Sequence, residues 1–167
     1  MQLHGLIHTF PKHIKIFIAA FVIVLSIGYL TGLLFVNETD STSPNGIEEN
    51  YLGNENDEDA AVMKFHKSDR EMLTTLHSHI LSMSFIFFFL GALVAITSLP
   101  KKLKYFLMIE PFFSIILTFG GIYFLWQGMF WMKYIVLVSG IVMTGVFLTA
   151  SISILLQLLK KENHINI

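Results

Sequence analysis

Four long apolar segments dominate this chain of 167 residues, and they occupy positions 14–36, 72–99, 105–126 and 131–159. A bilayer has a hydrocarbon core about 30 Å thick, and a helix that rises about 1.5 Å per residue crosses it with about 20 apolar residues. The pattern therefore predicts an all-α, polytopic membrane protein, built as a bundle of four transmembrane helices in a single membrane domain.

The composition agrees with a chain whose main partner is the lipid bilayer. Hydrophobic residues make up 54% of the sequence and charged residues only 14%, whereas soluble domains carry about 25% charged residues. A formal net charge of -1 argues against a nucleic-acid partner, because such binders are strongly basic. Cysteine is absent, which excludes disulfides, thiolate ligands and thiol nucleophiles.

Lysine placement predicts the orientation of the four spans. The segments "PKHIK", "PKKLK" and "KKENH" flank the spans on one side, and the positive-inside rule makes that side cytoplasmic. We therefore expect cytoplasmic N and C termini, with the loop 37–71 and the short turn "QGMFWMK" on the opposite side. The first apolar run is too long for a signal peptide and lacks a small-residue cleavage site, so it is interpreted as an uncleaved span.

The extracytoplasmic loop 37–71 divides into two parts. Residues 37–45 are interpreted as a solvated, turn-rich connector. The spacing of Ser68 and Glu71 matches a capping box and predicts that the second spanning helix begins there. The loop also carries apolar residues that we expect to fold onto the bundle as a lid: Tyr51, Met63 and Phe65.

The acidic part of the loop superficially resembles a calcium-binding sequence. Asn54, Asn56 and Glu58 have the alternating spacing of such a loop. The glycine and the terminal glutamate of an EF-hand are missing, so calcium binding is not the favoured interpretation.

Two histidines, His77 and His79, lie in the first turns of the second span. They point about 160° apart on a regular helix, so one metal ion cannot take both. His79 shares its face with hydroxyl-bearing residues, and this face is expected to turn inward, because polar groups that face lipid find no partners. His77 is expected to meet the lid loop, a neighbouring subunit or the lipid headgroups.

A bound cofactor is one interpretation of these histidines, with haem b held by His79 or His77 as an axial ligand. His66, folding back from the loop, is a weaker candidate for the second ligand, and a partner subunit could also supply it. Methionines within reach are Met83, Met129, Met132 and Met143. The alternative interpretation is that both histidines only form hydrogen bonds to neighbouring hydroxyls and interfacial water.

Small residues and one carboxylate mark two further features of the spans. The glycines expected at helix contacts, or beside a flat cofactor, are Gly28, Gly32, Gly120, Gly121 and Gly140. Glu110 precedes Pro111 near the cytoplasmic end of the third span, where an intramembrane carboxylate is a functional candidate. The structural alternative pairs Glu110 with lysines of the adjacent turn: Lys101, Lys102 or Lys104.

Three short elements give the chain a family resemblance. Gly46, Tyr51 and Gly53 form a G-x-x-x-x-Y-x-G element, residues 63–68 read "MKFHKS", and His77 with His79 form an H-x-H pair. With these elements the chain resembles a family of small bacterial four-helix inner-membrane proteins with no established reaction. The resemblance implies a bacterial cytoplasmic membrane and draws attention to the two histidines, and it implies no substrate.

Three functions remain open at this point. The sequence contains no nucleophile with its base, no phosphate loop and no complete metal set, which favours a non-enzymatic subunit or accessory protein of a membrane complex, partnered by another membrane protein or by further copies of itself. The alternative is a haem b- or quinone-associated electron-transfer protein that uses His79 and His77. A small transporter acting as an oligomer is the second alternative.

Overall fold

The computed structural model describes residues 4–55, 60 and 62–160. A short 3-10 helix, Leu6–Thr9, precedes five α-helices in this part of the chain. The α-helices are α1 (Lys12–Glu38), α2 (Pro44–Leu52), α3 (Asp69–Ala95), α4 (Lys101–Trp126) and α5 (Met132–Leu159). All except α2 are long and apolar enough to cross a membrane. The prediction of an all-α protein with four spans is confirmed.

Local chemistry fixes where α3 begins and ends. The Ser68 hydroxyl accepts from the backbone N–H of Glu71, and the Glu71 carboxylate accepts from the backbone N–H of Ser68, which completes the predicted capping box. The helix ends at Ala95, four residues before the predicted limit of this span. The buried Thr97 hydroxyl donates to the Val94 carbonyl at 2.7 Å, and Pro100 then opens α4.

Successive spanning helices run antiparallel, and their packing is uneven. We call the end that carries residues 39–68 and the turn 127–131 the loop end, and the opposite end the termini end. Helix α4 packs extensively on α5 and α3, whereas α1 makes only a small contact with α5. Only 17% of the most apolar window of α1 is buried, against 44% for α4. Helix α1 is therefore the most loosely held span.

An aromatic cluster joins three of the spans near mid-helix. Tyr29 of α1 stacks on Phe147 of α5 with ring centroids 3.8 Å apart, and Phe87 of α3 meets both rings edge-on. The Tyr29 hydroxyl lies 3.2 Å from the Thr144 hydroxyl, which satisfies its polar end inside the bundle. This cluster attaches α1 to α3 and α5.

Of the five glycines expected at helix contacts, one lies where two helices approach closely. A Cβ atom added to Gly121 would lie 2.8 Å from Cγ2 of Val136, so α4 and α5 approach closely there. Nothing lies within 4 Å of such an atom at the remaining glycines, which adjoin open space in the chain by itself: Gly28, Gly32, Gly120 and Gly140. A small residue permits a close contact, but which helix comes close is decided by the whole bundle.

This difference between neighbours predicts the outcome of two substitutions. Gly121→Ala is expected to lower the free energy of unfolding by about 1 kcal/mol, because the Val136 side chain must shift. Gly120→Ala introduces its methyl group into open space and should leave stability unchanged or slightly raised. Thermal unfolding of both variants in detergent, followed by circular dichroism, measures the difference, and equal midpoints would contradict the observed contact.

Candidate functional site

The loop end is covered by a folded cap formed by residues 39–55 and 62–68. Within it, α2 begins at Ser43, whose hydroxyl accepts from the Gly46 backbone N–H, and Pro44 occupies the first helical position. Ile47 is buried against the bundle. Residues 37–45 contain no buried side chain, and 39–43 form the turn between α1 and α2, although the helices extend into both ends of this stretch.

Two glycines of the proposed family element have geometric roles in this cap. A Cβ atom on Gly46 would lie 1.7 Å from the carbonyl oxygen of Asp40, so only glycine fits this approach. Gly53 ends α2 with φ 81°, and its backbone packs against residues 64–66. Between them, burial raises the pKa of Tyr51 to about 12, which keeps its phenol neutral.

Lysines tie the cap to the bundle and to itself. Lys133 at the start of α5 forms an ion pair of 2.6 Å with Glu48 of α2. Lys64 lies 3.8 Å from the carboxylate of Asp40 and 3.7 Å from that of Glu49. These cations at the loop end are therefore engaged with carboxylates of the cap.

The predicted lid is only partly correct. Tyr51 packs against the core, whereas Met63 and Phe65 remain exposed at 57% and 65%. The indole N–H of Trp126 donates to the Lys67 carbonyl at 2.9 Å, which holds the last part of the cap against α4. Backbone contacts and one indole therefore fasten this segment, and the two apolar side chains do not.

His66 does not approach His79. Its exposed ring lies 5.9 Å from the ring of Trp126, beside the cap. His79 lies ten residues into α3, which places it about 15 Å beyond the start of the helix at Asp69. Because bonds between iron or zinc and an imidazole nitrogen are about 2 Å long, these two histidines cannot share one metal ion.

The first half of α3 is exposed along most of its circumference. No residue between Met72 and Phe87 is buried, although this stretch lies within the apolar span. Several polar residues of the stretch are exposed: Thr74, His77, Ser78, His79 and Ser82. The hydroxyl of Ser78 donates to the Thr74 carbonyl at 2.7 Å, so its hydrogen-bonding demand is met within the helix.

His79 contacts the neighbouring helix but is not enclosed. Its ring centroid lies 5.3 Å from that of Phe119 on α4, and the side chain is exposed. In the chain by itself the His79 side chain is therefore not turned into the bundle interior, and its role as a ligand stays a prediction. Nδ1 of His79 lies 2.8 Å from the Thr75 carbonyl oxygen. A carbonyl only accepts, so Nδ1 carries a proton, and in the tautomer with only that proton Nε2 is an acceptor.

His77 lies on the other side of α3, about 7 Å beyond Met72 along the helix. Its side chain is exposed, and its ring has no hydrogen-bond partner among the described residues. The imidazole therefore points away from the bundle.

No metal centre is assembled within the described part of the chain, where no group of three or more histidine, aspartate or glutamate side chains converges. Asn54 instead organises the cap, because its side chain accepts from the Lys64 backbone N–H at 2.6 Å. Asn56 and Glu58 of the calcium-like run lie outside the described residues. Haem b binding at His79 is not shown by the described residues and stays a hypothesis.

Glu110 is held inside the bundle and not at its surface. One carboxylate oxygen accepts a hydrogen bond from the buried Ser114 hydroxyl, while the other is buried without a partner among the described residues. The structural alternative of a lysine pair is wrong, because Glu110 forms no ion pair in this part of the chain and Lys104 donates to the Ala95 carbonyl at 2.9 Å. A functional role for Glu110 stays a prediction.

Sequence reasoning missed a polar cluster at the termini end. Nδ1 of His8 lies 3.1 Å from the Gln157 carbonyl oxygen and Nε2 lies 3.3 Å from the Ser98 hydroxyl. The Gln157 side chain accepts from the Ser98 backbone N–H at 2.7 Å, and Ile7 beside it is fully buried. These residues are far apart in the sequence, so their contact could not be predicted. The one local signal was Gln157, a polar residue within the otherwise apolar end of α5.

Comparison with known proteins places the chain in one family. Residues 41–165 match the family model Aq_1264_TM, described as a transmembrane helical domain. No curated protein and no solved structure matches the chain. The family match covers the cap, α3, α4 and α5, and therefore includes both histidines of the candidate site. The chain belongs to the Aq_1264_TM family of transmembrane helical domains.

Proposed function

We propose that this integral membrane protein is a non-enzymatic subunit or accessory protein of a membrane complex, and that it contacts its partner through the exposed outer face of α3. The observation that carries the proposal is His77, an exposed imidazole within a membrane-spanning helix that has no partner among the described residues. A polar group at this depth is costly in lipid and is normally paired. A neighbouring protein surface supplies such a pair.

The looseness of α1 and the folded cap support this proposal. A span that buries little of its own surface leaves area for another helix, and helix association in lipid depends on such packing. The cap presents exposed Met63 and Phe65 at the same end as His77, which extends the contact beyond the bilayer. Neither feature supplies a reactive group.

The lysine distribution supports a bacterial inner-membrane orientation with the termini end in the cytoplasm. Lys12, Lys15 and the lysines of residues 101–104 lie at the termini end. Those lysines outnumber the cations of the loop end, which is the pattern of the positive-inside rule. Labelling of an introduced cysteine at Thr42, in the cap, with a membrane-impermeant maleimide on intact cells tests this orientation.

Site-directed cross-linking tests the partner surface, because the chain contains no cysteine of its own. In Ser78→Cys the new thiol lies on the outer face of α3, and in Ile141→Cys it lies on the exposed face of α5. Each position is about 13 Å from the loop-end start of its helix, so the two sites are matched in depth. Both variants are coupled in native membranes to a benzophenone maleimide and irradiated.

We expect Ser78→Cys to give a discrete protein adduct and Ile141→Cys to give none. An adduct at about twice 19.0 kDa identifies a second copy of the chain, and another mass identifies a different subunit. Adding His77→Leu to Ser78→Cys should reduce the yield at least severalfold, because the pairing of the imidazole is lost. Equal absence of adducts at both positions would contradict the proposed surface.

A further inference from the structure

We propose that the groove between α1 and α3 binds a lipid-soluble hydroquinone, whose apolar tail lies in the groove and whose hydroxyl group donates a hydrogen bond to Nε2 of His79. This inference does not depend on the proposed complex, since it uses a different side of α3. The outward face carries His77, whereas the groove side carries Met83 and Ile86.

The groove has the size and lining expected of a site for an apolar chain. Its volume is about 580 Å³, within the range of about 300 to 1,000 Å³ typical of small-molecule sites. Its lining is almost wholly apolar and includes Phe21, Leu25, Gly28, Gly32 and Met83. A Cβ atom at Gly28 or Gly32 would meet nothing within 4 Å, so these glycines leave open space and do not form a helix contact.

His79 stands on the same side of α3 as the groove, closer to the loop end. It precedes Met83 by four residues and Ile86 by seven, and residues at these spacings share one face of a helix. The ring therefore lies about 6 Å along the axis from Met83 and about 10 Å from Ile86. His79 lies beyond the lining of the groove, so a molecule with its tail in the groove must extend past Met83 to meet the imidazole.

The hydrogen bond of His79 determines which chemical group the imidazole can bind. Nδ1–H is directed to the Thr75 carbonyl at 2.8 Å, so Nε2 accepts and the bound group must donate. A metal ion held at Nε2 needs further protein ligands, and the described residues offer no such group beside it. A hydroxyl group needs only the one lone pair. The adjacent Phe119 ring, 5.3 Å from the imidazole, supplies an aromatic surface for a phenolic ring.

Depth and charge favour an uncharged head over a phospholipid headgroup. His79 lies about 10 Å beyond Met72 along α3, below the level at which phosphate groups lie. Neither α1 after Lys15 nor α3 after Arg70 contains a lysine or arginine, so the groove has no cation for a phosphate. A hydroquinone carries hydroxyl donors without charge and can enter at this depth.

Equilibrium binding to the full chain in detergent micelles tests the proposal. The probes are decylhydroquinone and its dimethyl ether, which has the same tail and ring but no hydroxyl donor. We expect the wild-type protein to bind the hydroquinone about tenfold more tightly than the ether, the value of one net hydrogen bond. In His79→Leu this preference should disappear, while the weaker binding of the ether persists.

Two further variants separate the contribution of the hydroxyl-bearing ring to binding from that of the apolar tail. The double variant Gly28→Leu/Gly32→Leu fills the groove with side chains that meet open space, and it should abolish binding of both probes. His13→Leu removes an exposed histidine at the termini end and should leave both affinities at the wild-type value. Circular dichroism confirms that each variant is folded.

Three results would overturn the proposal. They are the absence of saturable binding to the wild-type protein, equal affinity for the hydroquinone and its ether, and a preference that survives in His79→Leu. The comparison of the two probes on the wild-type protein needs no substitution, so it decides the matter even if a variant fails to fold. The absence of a cross-link in Ser78→Cys would contradict the proposed partner surface without changing these binding results, so the two proposals can fail separately.

Discussion

Phe147→Ala is expected to lower the free energy of unfolding in detergent by about 3 kcal/mol. The Phe147 side chain is fully buried, stacks on Tyr29 at 3.8 Å and meets Phe87 edge-on at 6.2 Å. Alanine removes the central ring and leaves a cavity that three helices line. In a membrane the loss arises mainly from van der Waals contacts, because lipid tails are as apolar as the core.

Reversible unfolding by sodium dodecyl sulfate, followed by circular dichroism, measures this effect. Leu148→Ala is the matched control, since the neighbouring side chain is exposed on the outside of α5. It should change stability by less than about 0.5 kcal/mol. A Phe147→Ala variant as stable as Leu148→Ala would mean that α1 does not pack on α5 through this cluster.

Gly46→Ala is expected to lower the free energy of local unfolding of the cap by about 2 kcal/mol. The added methyl carbon would lie 1.7 Å from the Asp40 carbonyl oxygen, which is backbone and cannot rotate away. Either α2 or the turn at Asp40 must move, and the ion pair between Glu48 and Lys133 is lost with α2. The four spanning helices should remain formed.

Limited proteolysis from the loop end and fluorescence of Trp126, in a Trp131→Phe background, follow this change. The indole of Trp126 is bonded to the Lys67 carbonyl, so a released cap should shift its emission and speed cleavage between residues 39 and 68 several-fold. Gly145→Ala is the control, because an added methyl group there meets nothing within 4 Å. Wild-type protection in Gly46→Ala would contradict the close approach.

Part of the architecture could be predicted from local sequence signals. The apolar length of each span and the serine–glutamate box before α3 depend only on neighbouring residues, so they could be recognised directly. Helix α2 was missed because its nine residues contain a proline, a glycine and two asparagines, which usually mark turns. Its stability comes from the buried Ile47 and the Lys133 ion pair, both contacts with distant parts of the chain.

The candidate site was likewise predictable from the sequence only in part. The H-x-H pair was visible in the sequence, and the helical period alone placed the two rings on different sides of α3. The exposure of His79 was not visible, because it depends on how closely the neighbouring helices approach this part of α3. The buried oxygen of the Glu110 carboxylate, which has no partner among the described residues, was not predictable from the sequence either. Lys104 donates to the Ala95 carbonyl and does not pair with this carboxylate, and only the tertiary contacts reveal that choice.

The four membrane-spanning helices can be recognised from the amino-acid sequence, since hydrophobic length and charge depletion act on each segment separately. The faces that those helices share, the groove beside α1 and the folding of the polar loop into a cap depend on the packing of the whole bundle. The reason is that lipid accepts every apolar face equally, so shape, close packing and a few buried polar contacts choose among arrangements that hydrophobicity cannot distinguish.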